Sequence, residues 1–154
     1  MIALIPAGVS KLLLILHAVG AGVLFGSSTH SALQSIAQLR GRANPRLLRL
    51  YPTVALCAWS VTFVLGAVLY PRYRVFVRNE VFDRDAVWAS ILFDCKENAA
   101  LLAGILFLSA FLQRKAIPIT AEQRRIHLAL TLSSALLIWF VAISGLLITS
   151  VKGV

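Results

Sequence analysis

The sequence predicts an all-α integral membrane protein, a four-helix up-down-up-down bundle, and three observations predict it. Four long apolar stretches, residues 9–37, 51–70, 88–112 and 126–151, take up most of the 154 residues. Each is long enough to cross a hydrocarbon core of about 30 Å. The chain is 59% hydrophobic, which leaves room for three short connections and no soluble catalytic domain, so residues 1–154 read as one transmembrane domain. The basic residues gather at the ends of the apolar stretches, where anionic lipid headgroups would meet them. Short connections make successive helices antiparallel neighbours, and a single bundle is simpler than a two-helix or domain-swapped assembly.

The first stretch opens with Lys11 ahead of LLLILHAVGAGVLF. That opening is similar to a signal peptide, but the apolar run is too long for one and reads as a retained first helix. It is also longer than a bilayer needs, so it either tilts or projects beyond about Ala32. The first connection, LRGRANPRLLRLYP, holds Arg40, Arg42, Arg46 and Arg49 with no acid, and Asn44-Pro45 supplies a turn. After the second stretch, Pro71 to Val87 is expected to be a loop that mixes Arg72, Arg74, Arg78 and Arg84 with Glu80, Asp83 and Asp85. The third connection carries Arg114, Lys115, Arg124 and Arg125 against Glu122. Thr120 is expected to cap the fourth helix, with Gln123 at its third position.

The basic bias puts the first and third connections on the cytoplasmic side of a bacterial inner membrane, and both termini outside. Trp88, Tyr70 and Tyr73 then fall where an outer aromatic belt belongs. The net charge of +9 does not point to nucleic acid, because no basic face is left free to track phosphates. Cys57 and Cys95 lie toward opposite ends of different spans and are not expected to form a disulfide.

Ionisable groups inside spans are costly and therefore carry the functional question. On the first helix Ala18, Gly22, Gly26 and His30 follow one another at i+4 spacing, a groove of small residues leading to an imidazole. A neighbouring helix would fill such a groove, because small-xxx-small ridges are common membrane interfaces. A porphyrin face with His30 on the iron would fill it as well, with His127 of the fourth helix as the second axial ligand of a haem b. Depth argues against that pair: His127 lies about 3 Å past Arg125, whereas His30 lies about 15 Å before Arg40 unless the first helix emerges near Ala32. By itself, His127 also reads as an interfacial side chain wetting its tip among basic residues.

His17 is thirteen positions from His30, about 20 Å of rise and about 140° of rotation, so the two do not share a ligand. It is expected to donate either to a backbone carbonyl or to a quinone carbonyl. Asp94, Lys96 and Glu97 open the third helix about 9 Å or more inside Trp88. Asp94 and Glu97 share a face, and Lys96 is expected to need a partner from elsewhere. The cluster reads either as a proton path or quinone site, or as an ion-pair network that ties the second connection to the third helix through its arginines. The segment YPRYRVFVRNEVFDR reads as a ledge for a soluble electron carrier or a larger subunit, or as an amphipathic loop on the membrane.

Together GSSTH, YPRYRVFVR and LFDCKEN resemble segments of a group of small, poorly characterised four-span bacterial membrane proteins, and the resemblance covers most of the chain. It implies the four-span layout, and it implies that histidine often stands where this chain has Asn98, so His17 would lack a partner for a second haem. The expected role is that of a small subunit of a respiratory or photosynthetic electron-transfer complex. That subunit is either structural or haem b-bearing, with larger membrane subunits and lipids as partners, and is not an enzyme alone. The alternative is a proton-conducting or transporter-type protein using Asp94 and Glu97, although no span shows a repeat or a broken helix.

Overall fold

The computed structural model describes residues 6–113 and 120–151, which are helical apart from short turns, with no strand among them. Helix α1 runs Ala7–Leu39, α2 Pro45–Tyr73, α3 Val87–Gln113 and α4 Ala121–Val151. The expected positions of Arg114 and Lys115 lie outside the described residues.

The reversal between α1 and α2 is much shorter than the sequence suggests, because Arg46 and Arg49 already belong to α2. Gly41 takes φ 69°, which a side chain would resist, and closes α1. Its N–H donates to Gln38 O, and that of Arg42 donates to Ala37 O, the paired bonds of a glycine-terminated helix end. Asn44 then caps α2 by accepting from Arg46 N at 2.9 Å, with Pro45 at the first helical position, where a missing N–H costs nothing. At the start of α4, Thr120 and Gln123 exchange the expected pair of capping bonds, at 3.2 and 3.3 Å.

The largest departure from expectation is the second connection, which is not a loop. Three residues past Pro71 the helical ladder widens into a π-helix over Arg74–Phe82, followed by a single α-turn over Asp83–Asp85. Its buried residues Tyr73, Val77, Phe82 and Ala86 are spaced four, five and four apart. That spacing is wider than the 3.6 residues of an α-turn and suits i→i+5 bonding. Those side chains pack with Ala89, Phe93 and Ile148 into one apolar cluster. Part of the apolar surface of YPRYRVFVRNEVFDR is therefore spent inside the protein, while Tyr70, Val75 and Phe76 stay exposed.

Helix α1 packs on α2 and α4, and α3 packs on α4 and α2. The pairs His30 with Tyr51 and His17 with Thr62 make α1 and α2 antiparallel. Ser35 with Thr131 and Thr29 with Trp139 do the same for α1 and α4. Tyr73 stacks on Phe93 at 4.2 Å, and Trp59 Nε1 donates to Ala100 O at 2.8 Å, which makes α2 and α3 antiparallel. Leu24, Ala55, Ala58, Ala103, Phe107 and Ile138 fill the middle.

Among the described residues, three helical stretches, Gly8–Leu39, Pro45–Asp85 and Ala121–Val151, are long and apolar enough to cross a membrane. Helix α3 has 27 residues, about 40 Å of rise, but Asp94, Lys96 and Glu97 interrupt its first half. Large apolar side chains face outward on every helix: Val19 is 61% exposed, Val64 59%, Ile105 63% and Leu146 74%. An apolar exterior of this kind suits lipid and not water.

Candidate functional site

Among the described residues, the glycines of the small-residue ridge of α1 have no other helix against them. Ala18, Gly22 and His30 are exposed and Gly26 half-buried, and a Cβ added to either glycine would touch nothing within 4 Å. The close packing of α1 on α2 uses other glycines: a Cβ on Gly20 would strike Thr62 Oγ1 at 2.7 Å, and one on Gly66 would press His17 Cε1 at 3.3 Å. At the end of the open ridge, His30 Nδ1 lies 2.8 Å from Gly26 O, the last carbonyl along the same ridge. A carbonyl only accepts, so the ring proton sits on Nδ1 and Nε2 is left for another partner. The Tyr51 ring, 5.2 Å away, holds the imidazole from the α2 side.

His127 is placed quite differently. It is 2% exposed, and its Nδ1 has no hydrogen-bond partner among the described residues. It belongs to a polar seam between α1 and α4, in which Ser31, Ser35 and Gln38 face His127, Thr131 and Ser134, all of them buried. Thr131 donates to Ser35 Oγ at 2.9 Å across the seam, while Ser35 donates back to Ser31 O in its own helix. Back-bonding of this type lets hydroxyls sit inside an apolar interface without stranding a donor. The sequence reading missed the seam, although the signal was there: Ser28, Ser31, Ser35 and Gln38 recur at the helical period.

The register across this seam separates the two imidazoles proposed as axial ligands. With Ser35 opposite Thr131 and Thr29 opposite Trp139, His30 lies level with residues near 137. His127 is then about ten residues away, or about 15 Å of rise. Axial nitrogens of one iron sit within a few ångströms of each other, so His30 and His127 of a single chain do not fit a bis-histidine haem. Among the described residues no group of three His, Cys, Asp or Glu side chains could hold a metal ion.

In the other half of the molecule, His17 Nδ1 donates to Thr62 O at 3.0 Å, the backbone-carbonyl alternative of the two expected for it. Of the polar cluster, Asp94 is held by Arg78 through two bonds of 2.8 and 3.0 Å, and Arg78 Nε also lies 3.7 Å from Asp83. Asp83 in turn accepts from Ser90 Oγ, which ties the turn before α3 to its first coil. A paired guanidinium–carboxylate fork fixes orientation as well as charge. Lys96 finds its counter-ion beside it, on Glu97 at 3.2 Å, and its ammonium lies 4.5 Å from the centre of the Phe93 ring. The expectation that Lys96 needs a partner from another helix is thereby corrected: neighbouring carboxylate and aromatic face together satisfy it. Cys57 and Cys95 are free and exposed.

Three parts of the chain thus carry polar chemistry inside apolar surroundings: an outward ridge ending in His30, an inward seam around His127 and Gln38, and an ion-paired lock at Arg78 and Asp94. No protein-family model matches the chain, and no curated protein or solved structure matches it either.

Proposed function

We propose that the chain inserts in a bacterial inner membrane as a four-helix bundle and works as a small subunit of a larger membrane electron-transfer assembly, docked through the Ala18-Gly22-Gly26-His30 ridge. The observation that carries this reading is the open space in front of Gly22 and Gly26. A helix that needed glycines only for its own packing would spend them on its own neighbours, as α1 does with Gly20. Glycines left facing outward let another backbone approach closely, which in lipid is a main source of helix–helix attraction.

Electron transfer is the class of assembly we assign, on the imidazole at the end of that ridge. A histidine whose Nδ1 donates to a carbonyl is held in the tautomer and orientation that leave Nε2 free to act, the arrangement found behind many metal-bound histidines. A haem b on this face would therefore take His30 from this chain and its other contacts from the partner. The clustering of arginine in the first connection supports a cytoplasmic placement of that end. Membership of the group sharing the GSSTH, YPRYRVFVR and LFDCKEN segments belongs to the same proposal.

The proton-path alternative gains no support, because Asp94 is engaged by Arg78 and Glu97 by Lys96. The test is purification of the tagged chain from its membranes in mild detergent, with a reduced-minus-oxidised visible spectrum of the product. A co-purifying complex with a b-type signal is expected, and Gly22→Leu should release the chain from it while leaving the chain's own helicity unchanged. A colourless chain that purifies alone would overturn the proposal.

A further inference from the structure

Among the described residues, the arginines of the first connection have no counter-ion. The sequence contains no acid before Glu80, and among the described residues none of Arg40, Arg42, Arg46 and Arg49 forms an ion pair. The antiparallel register brings the start of α4 to the same end, where it adds Arg125 and a single carboxylate, Glu122. This end of the molecule is therefore strongly positive, and its neutralising charge must come from outside.

Arg46 and Arg49 are i, i+3 neighbours and share a face of α2. Together with Pro45, Leu50 and Thr53 they line a shallow groove of about 500 Å³. Its lining combines a basic rim, Arg46 and Arg49 in the first turns of α2, with an apolar neighbour, Leu50, whose side chain is 48% exposed. A free anion would need only the rim. A molecule with an anionic head and an apolar tail would use both parts.

We propose that this groove binds the phosphodiester headgroup of an anionic phospholipid, with Arg46 and Arg49 on its oxygens and an acyl chain running along Leu50. Guanidinium groups suit phosphate because their planar donors meet two oxygens at once. A zwitterionic lipid fits less well, because its own ammonium would enter an already positive region. The site rests on the membrane insertion proposed above.

The test is reconstitution in phosphatidylcholine bilayers containing spin-labelled lipid, reading the fraction immobilised against the protein. Spin-labelled phosphatidylglycerol is expected to be immobilised in preference to spin-labelled phosphatidylcholine. The double variant Arg46→Gln/Arg49→Gln should bring that ratio close to one. Arg74→Gln/Arg84→Gln, which removes the same charge at the other end, should leave most of it. Equal loss in both double variants would reduce the effect to net charge and overturn the site, as would retention in the first. Loss of the preference on adding inorganic phosphate, but not chloride at matched ionic strength, would assign the rim to a free anion and overturn the lipid. Absence of an immobilised component for either lipid would overturn insertion itself, and the site with it.

Discussion

The first and second connecting segments of this helical molecule, at its opposite ends, carry four arginines each and treat them in opposite ways. At the end formed by Arg74–Asp85 and the start of α3, acids are interleaved with the arginines, and Arg78 is fixed between Asp94 and Asp83. There charge is used to fold: the paired segment lies back over Phe93, and Phe82 and Val77 become almost wholly buried. The segment of residues 40–49 at the other end contains no acid of its own, and a glycine-closed, asparagine-capped turn does the folding without using charge. The same residue type therefore serves internal structure at one end and is left for external recognition at the other. What decides between the two is whether carboxylates lie within reach in the sequence.

That contrast can be broken most severely by removing the aromatic anchor of the folded-back end. Phe82→Ala empties a fully buried site and should cost about 3–5 kcal/mol, measured by denaturant titration in detergent micelles. The segment should then become sensitive to protease, while the capped turn at residues 40–44 stays resistant. Gly104→Ala tests the middle, which the two ends share. An added Cβ would run into the Trp59 ring, and a loss of about 1–3 kcal/mol is expected by the same titration. Retention of full stability would mean that α2 and α3 can separate without cost.

Arg78→Gln removes the fork on Asp94. Because the two side chains are 24% and 52% exposed, the expected loss is only about 1 kcal/mol, and it should shrink as salt is raised. The smallest folding effect is expected at the opposite end. Arg46→Gln and Arg49→Gln should each change stability by no more than about 0.5 kcal/mol, since neither side chain forms an ion pair among the described residues. A large loss of stability there would show that those arginines are structural after all and erase the difference between the ends.

Much of this could be read in the chain. The four helices, the Asn44-Pro45 break and the Thr120 and Gln123 cap follow from local chemistry, because apolar length, a fixed φ and a side-chain acceptor act within a few residues. The sequence puts the start of the second helix at residue 51, later than Pro45, because arginines look like loop, although Arg46 and Arg49 are good helix formers whose charges extend outward. The π-helix was missed for a related reason: its charges hid a four-five-four spacing of Tyr73, Val77, Phe82 and Ala86 that fits neither an α-helix nor a strand. In the candidate site, the i+4 spacing of Gly22, Gly26 and His30 is legible as a ridge, but spacing on one helix does not say which helix, if any, lies against it.

The chain alone specified four long apolar helices, the reversal at Asn44-Pro45, and which charges lack an acid nearby, all consequences of composition over short distances. Only the tertiary structure decided that His30 faces out while His127 faces in, that the two lie about ten residues apart in depth, and that Arg78, of the four arginines in its segment, is the one that meets Asp94. Those outcomes depend on the relative rotation and register of antiparallel helices. Rotation and register are set by where side chains interlock across an interface, as Thr131 does with Ser35 and Trp59 with Gly104, and no single helix carries that information.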